Sequence, residues 1–249
     1  MNGAFQIAGV GLDAQQRALD IIANNITNLN TQGFKRSDVQ FSELVAPDTV
    51  AGTGAAGLGV ATSALVMTGA SGELQQTGLA MDLAIDGLGF VEVMGPRGQQ
   101  LLWRGGRLSV GDNGELSTVS GLPLRSLITV PLDASSIEIR PDGVVIAQFE
   151  NGEAPVEIGQ IDLVRPEGDG QLTPVGNGFY QSDSSAMIQG AAGEDGMGQL
   201  VQGSIERSNV DLNAEMVQLL IIQRAYAANA QMVQAADQIM GINNNLRGG

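Results

Sequence analysis

The sequence predicts an α+β fold in which long N- and C-terminal helices form a coiled-coil-like helical domain, with an antiparallel β-domain inserted between them. Three observations predict this class. Apolar residues recur every seven positions near both ends of the 249-residue chain. Short β-prone segments separated by turn sequences fill the middle. No strong helical pattern lies between the two ends.

The N-terminal pattern predicts a helix that ends near Leu29. Its apolar positions are Phe5, Leu12, Leu19, Ile22, Ile26 and Leu29. Several asparagines around residues 24–30 favour a turn, and Gly33 can take the left-handed conformation that stops a helix. We predict an N-terminal helical arm over residues 1–33 and an extended, glycine-rich linker over residues 34–80. Within that linker, Lys35, Arg36 and Asp38 are typical of a solvated turn.

The middle of the chain predicts strands joined by tight turns. Asp112-Asn-Gly114 lies between two β-prone runs, and Pro141-Asp-Gly143 separates another pair. Asn-Gly and Asp-Gly are strong hairpin signals because both residue types tolerate positive φ angles. We predict a β-domain, a sandwich or an open barrel, over residues 81–182 and a return linker over residues 183–207.

The C-terminal arm, residues 208–249, predicts one long helix. Asp211 can cap its N-terminus, and Glu215 lies in the first turn, where the helix dipole favours a carboxylate. The seven-residue series and its companions are Leu212, Leu219, Ile222, Tyr226, Val233 and Met240. A second apolar stripe includes Ile221, Met232, Ile239 and Ile242, so the helix has more apolar surface than one partner can cover. The seam residues of both arms, together with Ile239, are therefore the predicted assembly interface.

Composition excludes several classes of function. The chain has no cysteine and no histidine, which removes disulfides, the usual zinc sites and histidine-based catalysis. A two-carboxylate hydrolase stays open, with Asp82, Asp86 and Glu92 as candidates, but acids alternating along a strand usually form its solvent face. We predict that the protein is not an enzyme and holds no cofactor and no metal.

Charge is unevenly distributed. The net charge is −15, which argues against a nucleic-acid partner. Residues 41–202 hold 20 of the 27 acidic and 6 of the 12 basic side chains, so nearly all of the negative charge lies in the middle. Near-neutral ends can pack against copies of themselves, while the acidic middle stays solvated. Neither an apolar run of membrane-spanning length nor a secretory signal is visible, so ordinary rules predict a cytoplasmic protein.

Both ends resemble the bacterial flagellar rod and hook proteins. The N-terminal match covers residues 11–16 and 23–36, and the C-terminal match covers residues 208–217, 223–226 and 236–240. Residues 82–90 resemble the entry to that family's β-domain. The motif residues are Asn24, Asn25, Asn28, Gly33, Phe34, Ser208, Asn209, Val210, Glu215, Met216, Gln223 and Arg224.

The resemblance implies a structural axial subunit whose terminal helices pack into a hollow driveshaft. The short middle looks most like rod proteins of the distal or neighbouring proximal type. Implied partners are copies of itself, other flagellar rod and hook proteins, the surrounding basal-body rings and the flagellar type III export apparatus. The resemblance also replaces the cytoplasmic location with the periplasm-crossing rod, reached without a cleaved signal peptide. The rival to this interpretation is a secreted surface filament or adhesin-like protein with a helical stalk.

Overall fold

The computed structural model describes residues 2–45, 57–150, 154–167, 172–182 and 186–247. Within these ranges the chain forms two helices, α1 (Asn2–Thr27) and α2 (Leu212–Arg247). All strands lie between them: β1 (Ser37–Val45), β2 (Gly57–Val66), β3 (Leu74–Gln76), β4 (Asp82–Asp86), β5 (Phe90–Met94), β6 (Gln100–Trp103), β7 (Gly105–Val110), β8 (Leu116–Thr118), β9 (Ala134–Ile139), β10 (Val144–Phe149), β11 (Val156–Gln160), β12 (Leu163–Pro166), β13 (Leu172–Gly176), β14 (Phe179–Ser182), β15 (Met187–Gly190), β16 (Gln199–Gln202) and β17 (Ser204–Glu206).

The predicted fold class is wrong. The structure is 24% helical and about 41% strand, and the strands form several sheets rather than one domain inserted into a helical coiled coil. Part of the predicted linker is strand, because β1 and β2 pair as a two-stranded sheet. Both strands carry β-branched residues such as Val39 and Thr62, which favour extended backbone, whereas the glycines between them suggested a connector. Residues 50–56 of that connector lie outside the described ranges.

The described residues fall into two compact units. The first contains those within residues 1–27, 37–65 and 211–249, so both helices share a unit with β1 and most of β2. Its buried centre is Ala18, Ile22 and Ile222, with Leu19, Ile26, Val39 and Leu219 packed against it. The expected coiled-coil domain is therefore replaced by a single pair of helices, α1 and α2, against which Val39 of β1 packs. The predicted domain boundaries themselves stay a prediction.

The second unit contains the described residues within 28–36 and 66–210. Its largest sheet has the order β13-β14-β6-β5-β12-β15, and a four-stranded sheet has the order β16-β4-β7-β8. Three strands in the order β11-β10-β9 and the pair β17-β3 complete the unit. The main core includes Leu83, Trp103, Leu108 and Leu163, all nearly inaccessible to solvent. Aliphatic side chains dominate this core, as the low aromatic content required.

Both predicted hairpins are confirmed. β7 and β8 pair antiparallel from Leu108 opposite Thr118 to Val110 opposite Leu116. Gly114 in their turn has a φ of +78°. β9 and β10 pair antiparallel around the second turn, where Gly143 has a φ of +91°. Positive φ is the reason that glycine closes each turn.

Candidate functional site

The seam predicted for assembly is partly used inside the chain. Ile22 and Ile222 are buried between α1 and α2, and the half-buried Leu19, Ile26 and Leu219 pack against them. Their apolar surface is therefore already covered by a partner in the same unit. Which surfaces meet other copies remains a proposal for all of the predicted interface residues.

The other predicted interface residues range from half-buried to exposed. Leu12, Leu29, Tyr226 and Val233 are half-buried, while Leu212 and Ile239 are exposed. Phe5 and Met240 lie within the helices, but their side chains are outside the described part of the structure.

A large apolar surface on α2 is open to solvent. Its members share side chains that are at least a third exposed: Leu212, Met216, Val217, Leu220, Ile221, Met232, Ile239 and Ile242. We call this set the α2 apolar face. Ile221 and Ile242 are each 61% exposed. Ile221, Met232 and Ile239 lie on one side of the helix, since their spacings of eleven and seven residues are close to whole numbers of turns. Exposed apolar surface of this kind marks an interaction site, because leaving it in water is unfavourable.

A buried polar contact joins the end of α1 to the start of α2. Asn25 is fully buried, and its amide nitrogen donates to the Ser37 carbonyl at 2.8 Å and to the Glu215 carboxylate at 3.2 Å. The Ser37 backbone N–H in turn donates to the Asn25 side-chain oxygen at 3.0 Å. The motif residues Asn25 and Glu215 are thus explained by their structure, because each supplies a hydrogen-bonding group that the other needs in a buried position.

The start of α2 is as the sequence predicted. The Asp211 carboxylate accepts hydrogen bonds from the backbone N–H groups of Asn213 at 2.8 Å and Ala214 at 3.3 Å. It therefore caps two of the donors that a helix N-terminus leaves without partners. Glu215 lies in the first turn, also as predicted.

The second unit contains a buried ionic cluster centred on Glu206. One Glu206 carboxylate oxygen accepts from Lys35 Nζ and from the Gly72 backbone N–H, both at 2.7 Å. The other accepts from Arg104 Nε at 2.6 Å. The Arg104 guanidinium also donates to the carbonyls of Gly89 and Gly87. Lys35, Arg104, Glu206 and Tyr180, all within a few per cent of complete burial, form what we call the Glu206 cluster.

Tyr180 ties this cluster to the chain that follows Gly33. Its hydroxyl accepts from the Lys35 backbone N–H at 2.7 Å and donates to the Gly33 carbonyl at 3.2 Å. Its ring packs edge-on against Phe90, and the Arg104 guanidinium lies over the same Phe90 ring, 5.7 Å from the centroid. Burial raises the pKa of Tyr180 to about 12, so the phenol stays protonated as this donor role requires.

Burial also dominates the electrostatics of Lys35. Desolvation and then the Arg104 charge lower the Lys35 pKa from its ordinary value, while Glu206 acts in the opposite direction. Two buried cations share one carboxylate, so Glu206 is the group that compensates both. Removing it leaves both cations without an anionic partner in a dry site.

The predicted solvated turn at Lys35 is wrong, because the Lys35 side chain is 1% exposed. Sequence reasoning also missed Arg104, Glu206 and Tyr180 as its partners. One signal pointed to the site: Lys35 is the only lysine in the chain and directly follows Gly33-Phe34. A lone lysine inside a motif differs from the scattered lysines of a solvated surface.

The other motif residues have different surroundings. Gly33 has a φ of +67°, which confirms the predicted left-handed conformation, and its N–H donates to the Glu206 carbonyl at 2.9 Å. Asn209 accepts from the Arg36 N–H at 2.6 Å and donates to the Ala70 carbonyl at 2.9 Å. Phe34 and Val210 are buried, Asn28 and Ser208 are half-buried, and Asn24, Met216, Gln223 and Arg224 are exposed.

The candidate carboxylates are not gathered into a site. Asp82 is held by Arg107 at 2.8 Å, and this hydrogen bond lowers its pKa. Glu92 pairs with Arg125 at 3.0 Å, and Asp86 is exposed. Among the residues that the structure describes, no group of three acidic side chains is placed to bind a metal. Neither helix, over its described length, is long and apolar enough to cross a membrane.

Three protein families match successive parts of the chain. Residues 5–35 match "Flagella basal body rod protein", and residues 84–147 match "Flagellar hook protein FlgE/F/G D1 domain". Residues 201–246 match "Flagellar basal body rod FlgEFG protein C-terminal". These ranges include Asn25 and Lys35 at one end of the chain and Glu206 and Glu215 at the other.

Full-length relatives agree with the family matches. The flagellar basal-body rod protein FlgG of Borreliella burgdorferi is 34% identical over 263 residues, covering 99% of each chain. FlgG of Agrobacterium fabrum is 34% identical over 260 residues, covering 98% of this chain and 99% of its own. FlgF of Caulobacter vibrioides is 31% identical over 233 residues and 90% of each chain. Nearly complete coverage at this identity shows that the chain belongs to the family of flagellar basal-body rod proteins.

Proposed function

We propose that this rod-family protein is an axial subunit that polymerises through its terminal helices. The product is a hollow driveshaft that transmits torque and lets exported subunits pass. The α2 apolar face carries this proposal, because eight large apolar side chains are exposed along a single helix. Because the hydrophobic effect scales with the apolar area removed from water, packing copies side by side stabilises an assembly.

Charge supports the same arrangement. Residues 203–249 hold four acidic and three basic side chains, so copies of this segment can approach closely without strong repulsion. The negative charge of residues 41–202 suits a surface that stays in contact with water or with a basic partner.

Membership of the rod family supports assembly with other flagellar rod and hook proteins in the basal body. We further propose that the subunit lies in the part of the rod that crosses the periplasm. There it contacts the surrounding rings, after delivery by the flagellar type III export apparatus. A distal and a proximal position in the rod are both compatible, since relatives of the FlgG and FlgF types match most of the chain.

The role is structural rather than catalytic. The family is named for a rod component, and the buried carboxylates of Glu206 and Asp82 are engaged by arginine and lysine rather than grouped around a cleft. The surface-filament or adhesin alternative has no support from the relatives, which are flagellar rod proteins over nearly their full length.

The test is Ile221→Asp. Placing a carboxylate at a 61%-exposed position of the α2 apolar face leaves the monomer folded but puts a charge into the proposed contact between copies. We expect loss of polymerisation, measured by sedimentation and electron microscopy, with an unchanged helical circular-dichroism signal, to which α1 and α2 contribute.

Gln223→Asp is the matched control, because it adds the same charge at an exposed polar position two residues away, on the side of the helix opposite Ile221, Met232 and Ile239. It should polymerise like the unmodified chain. Normal polymerisation of Ile221→Asp would rule out this face as the contact.

A further inference from the structure

A pocket of about 300 Å³ opens at one end of the β7–β8 hairpin of the second unit. Arg107 at the start of β7 and Val119 just after β8 line it, together with Trp103, Phe179 and Asn177. Val119, which is 64% exposed, and the two aromatic side chains form the apolar part of the lining, while most of the other lining residues are polar. A concave site with both apolar and polar lining is suited to receiving an apolar side chain together with a polar neighbour.

Arg107 gives the rim a cationic group. Its Nε and one terminal nitrogen contact the Asp82 carboxylate at 2.8 and 3.4 Å. The other terminal nitrogen makes no hydrogen bond to any described residue, and the side chain is 54% exposed. The rim can therefore accept an acidic group beside an apolar one.

Leu132 is the complementary knob. It is 99% exposed, more than any other large apolar side chain among the described residues. It lies at the tip of a turn that the Ala134 N–H closes on the Pro131 carbonyl at 3.1 Å. The turn and the proline before Leu132 restrict the backbone of Leu132 before any contact forms. This restriction lowers the conformational entropy lost when Leu132 docks. Asp133, next to Leu132, is exposed and forms no ion pair within the described chain.

The knob and the pocket lie at opposite ends of the same hairpin. The Val130 N–H, two residues before Leu132, donates to the carbonyl of Gly114 in the β7–β8 turn at 2.8 Å. The pocket is lined by the first residues of β7 and those after β8. With six residues in β7, the two ends are roughly 20 Å apart. A chain therefore cannot fill its own pocket, whereas a second copy can.

We propose that Leu132 of one copy enters the pocket over Trp103 in the next copy, with Asp133 against Arg107. The contact is heterologous, because each copy supplies a knob at one end of the hairpin and a socket at the other. Contacts of this type join many copies into rings or open filaments rather than two-fold dimers. This inference rests on the proposed rod function and identifies a contact in the second unit that is independent of the α2 apolar face.

Crosslinking tests the contact, since the chain has no cysteine of its own. The full-length Val119→Cys, Leu132→Cys double variant is treated with a short bismaleimide under assembly conditions and separated on a denaturing gel. We expect a ladder of trimers and larger species, because every copy carries both halves of the contact. Val119→Cys or Leu132→Cys alone should stop at dimers at most.

The controls separate specific docking from collision. Val119→Cys with Leu127→Cys uses another exposed leucine of the same loop and should give no ladder. Adding Asp133→Lys to the double variant should reduce the ladder several-fold at low salt, whereas adding Asp86→Lys at another exposed position should not. Equal ladders from the Leu127 and Leu132 pairs would overturn the proposal.

Electron microscopy of the same samples separates this proposal from the proposed function. If tubes form but no ladder appears, the knob-and-pocket contact is wrong and the rod function stands. If neither tubes nor ladder form, both are overturned. A ladder without tubes supports the contact and counts against helix-driven polymerisation.

Discussion

At the residue scale, Glu206 connects parts of the chain that are far apart in sequence. Its carboxylate binds Lys35, 171 residues earlier, and Arg104, 102 residues earlier. The same oxygen that meets Lys35 also accepts the Gly72 N–H. A carboxylate with three donors in a dry site is well compensated, and each donor depends on it.

Glu206→Gln should therefore destabilise the protein strongly. The amide keeps the shape of the side chain but removes the charge that compensates Lys35 and Arg104. We expect the free energy of unfolding to fall by about 3–5 kcal/mol. Urea titration of the full chain, followed by Trp103 fluorescence, measures this loss in the unit that contains the cluster.

Glu73→Gln is the control for this substitution. Glu73 is 80% exposed and lies 3.6 Å from Arg207, so its ion pair is surface-like and should contribute less than about 1 kcal/mol. Equal urea midpoints for Glu206→Gln and Glu73→Gln would mean that the Glu206 cluster does not stabilise the fold.

Sequence reasoning at this scale succeeded where the cause is local. Asp211 caps α2 and Gly33 takes positive φ because each role is set by the residue and its immediate neighbours. Lys35 was assigned to solvent because its partner lies on β17, which no local pattern reveals. Asn25 was recognised only as part of a motif, and its contact with Glu215 supplies the physical reason.

At the scale of elements, the pairing of β3 with β17 brings two backbones unusually close. Ser204–Glu206 pairs with Leu74–Gln76, and the Arg207 N–H donates to the Glu73 carbonyl at 2.9 Å. A Cβ added to Gly72 would lie 1.8 Å from the Arg207 carbonyl oxygen. Glycine is required there because the neighbour is backbone and cannot rotate away.

Gly72→Ala should accordingly force β3 and β17 apart and disturb the Gly72 hydrogen bond to Glu206. We expect a loss of about 1–3 kcal/mol in unfolding free energy, as for overpacked sites, measured by urea titration. Gly69→Ala is the matched control, since no heavy atom lies within 4 Å of its added Cβ. It should be neutral or slightly stabilising. If Gly72→Ala and Gly69→Ala unfold at the same urea concentration, the close approach of the backbones at Gly72 does not matter for the pairing of β3 with β17.

The strands could be predicted where a hairpin turn sequence lies between them, and not elsewhere. Hairpin signals located β7–β8 and β9–β10, because the turn residues fix the pairing of adjacent strands. Strands β1 and β2 lack such a signal, and residues 46–56 between them lie outside the described structure. Heptad spacing found both helices but predicted a coiled coil, since periodicity does not reveal that Val39 of β1 packs on the seam.

At the scale of the whole molecule, two kinds of surface remain after folding. One is the α2 apolar face, and the other is the acidic surface contributed by residues 41–202. A monomer that leaves eight large apolar side chains of one helix exposed is incomplete by ordinary standards of burial. Because the chain belongs to the rod family, we propose that other axial subunits cover these side chains.

The most direct test is a cryo-electron microscopy reconstruction of the assemblies formed by the purified chain. We predict hollow tubes in which Ile221, Met232 and Ile239 are buried against helices of neighbouring copies. Tubes in which these side chains still face solvent would contradict the account, as would a chain that stays monomeric at high concentration.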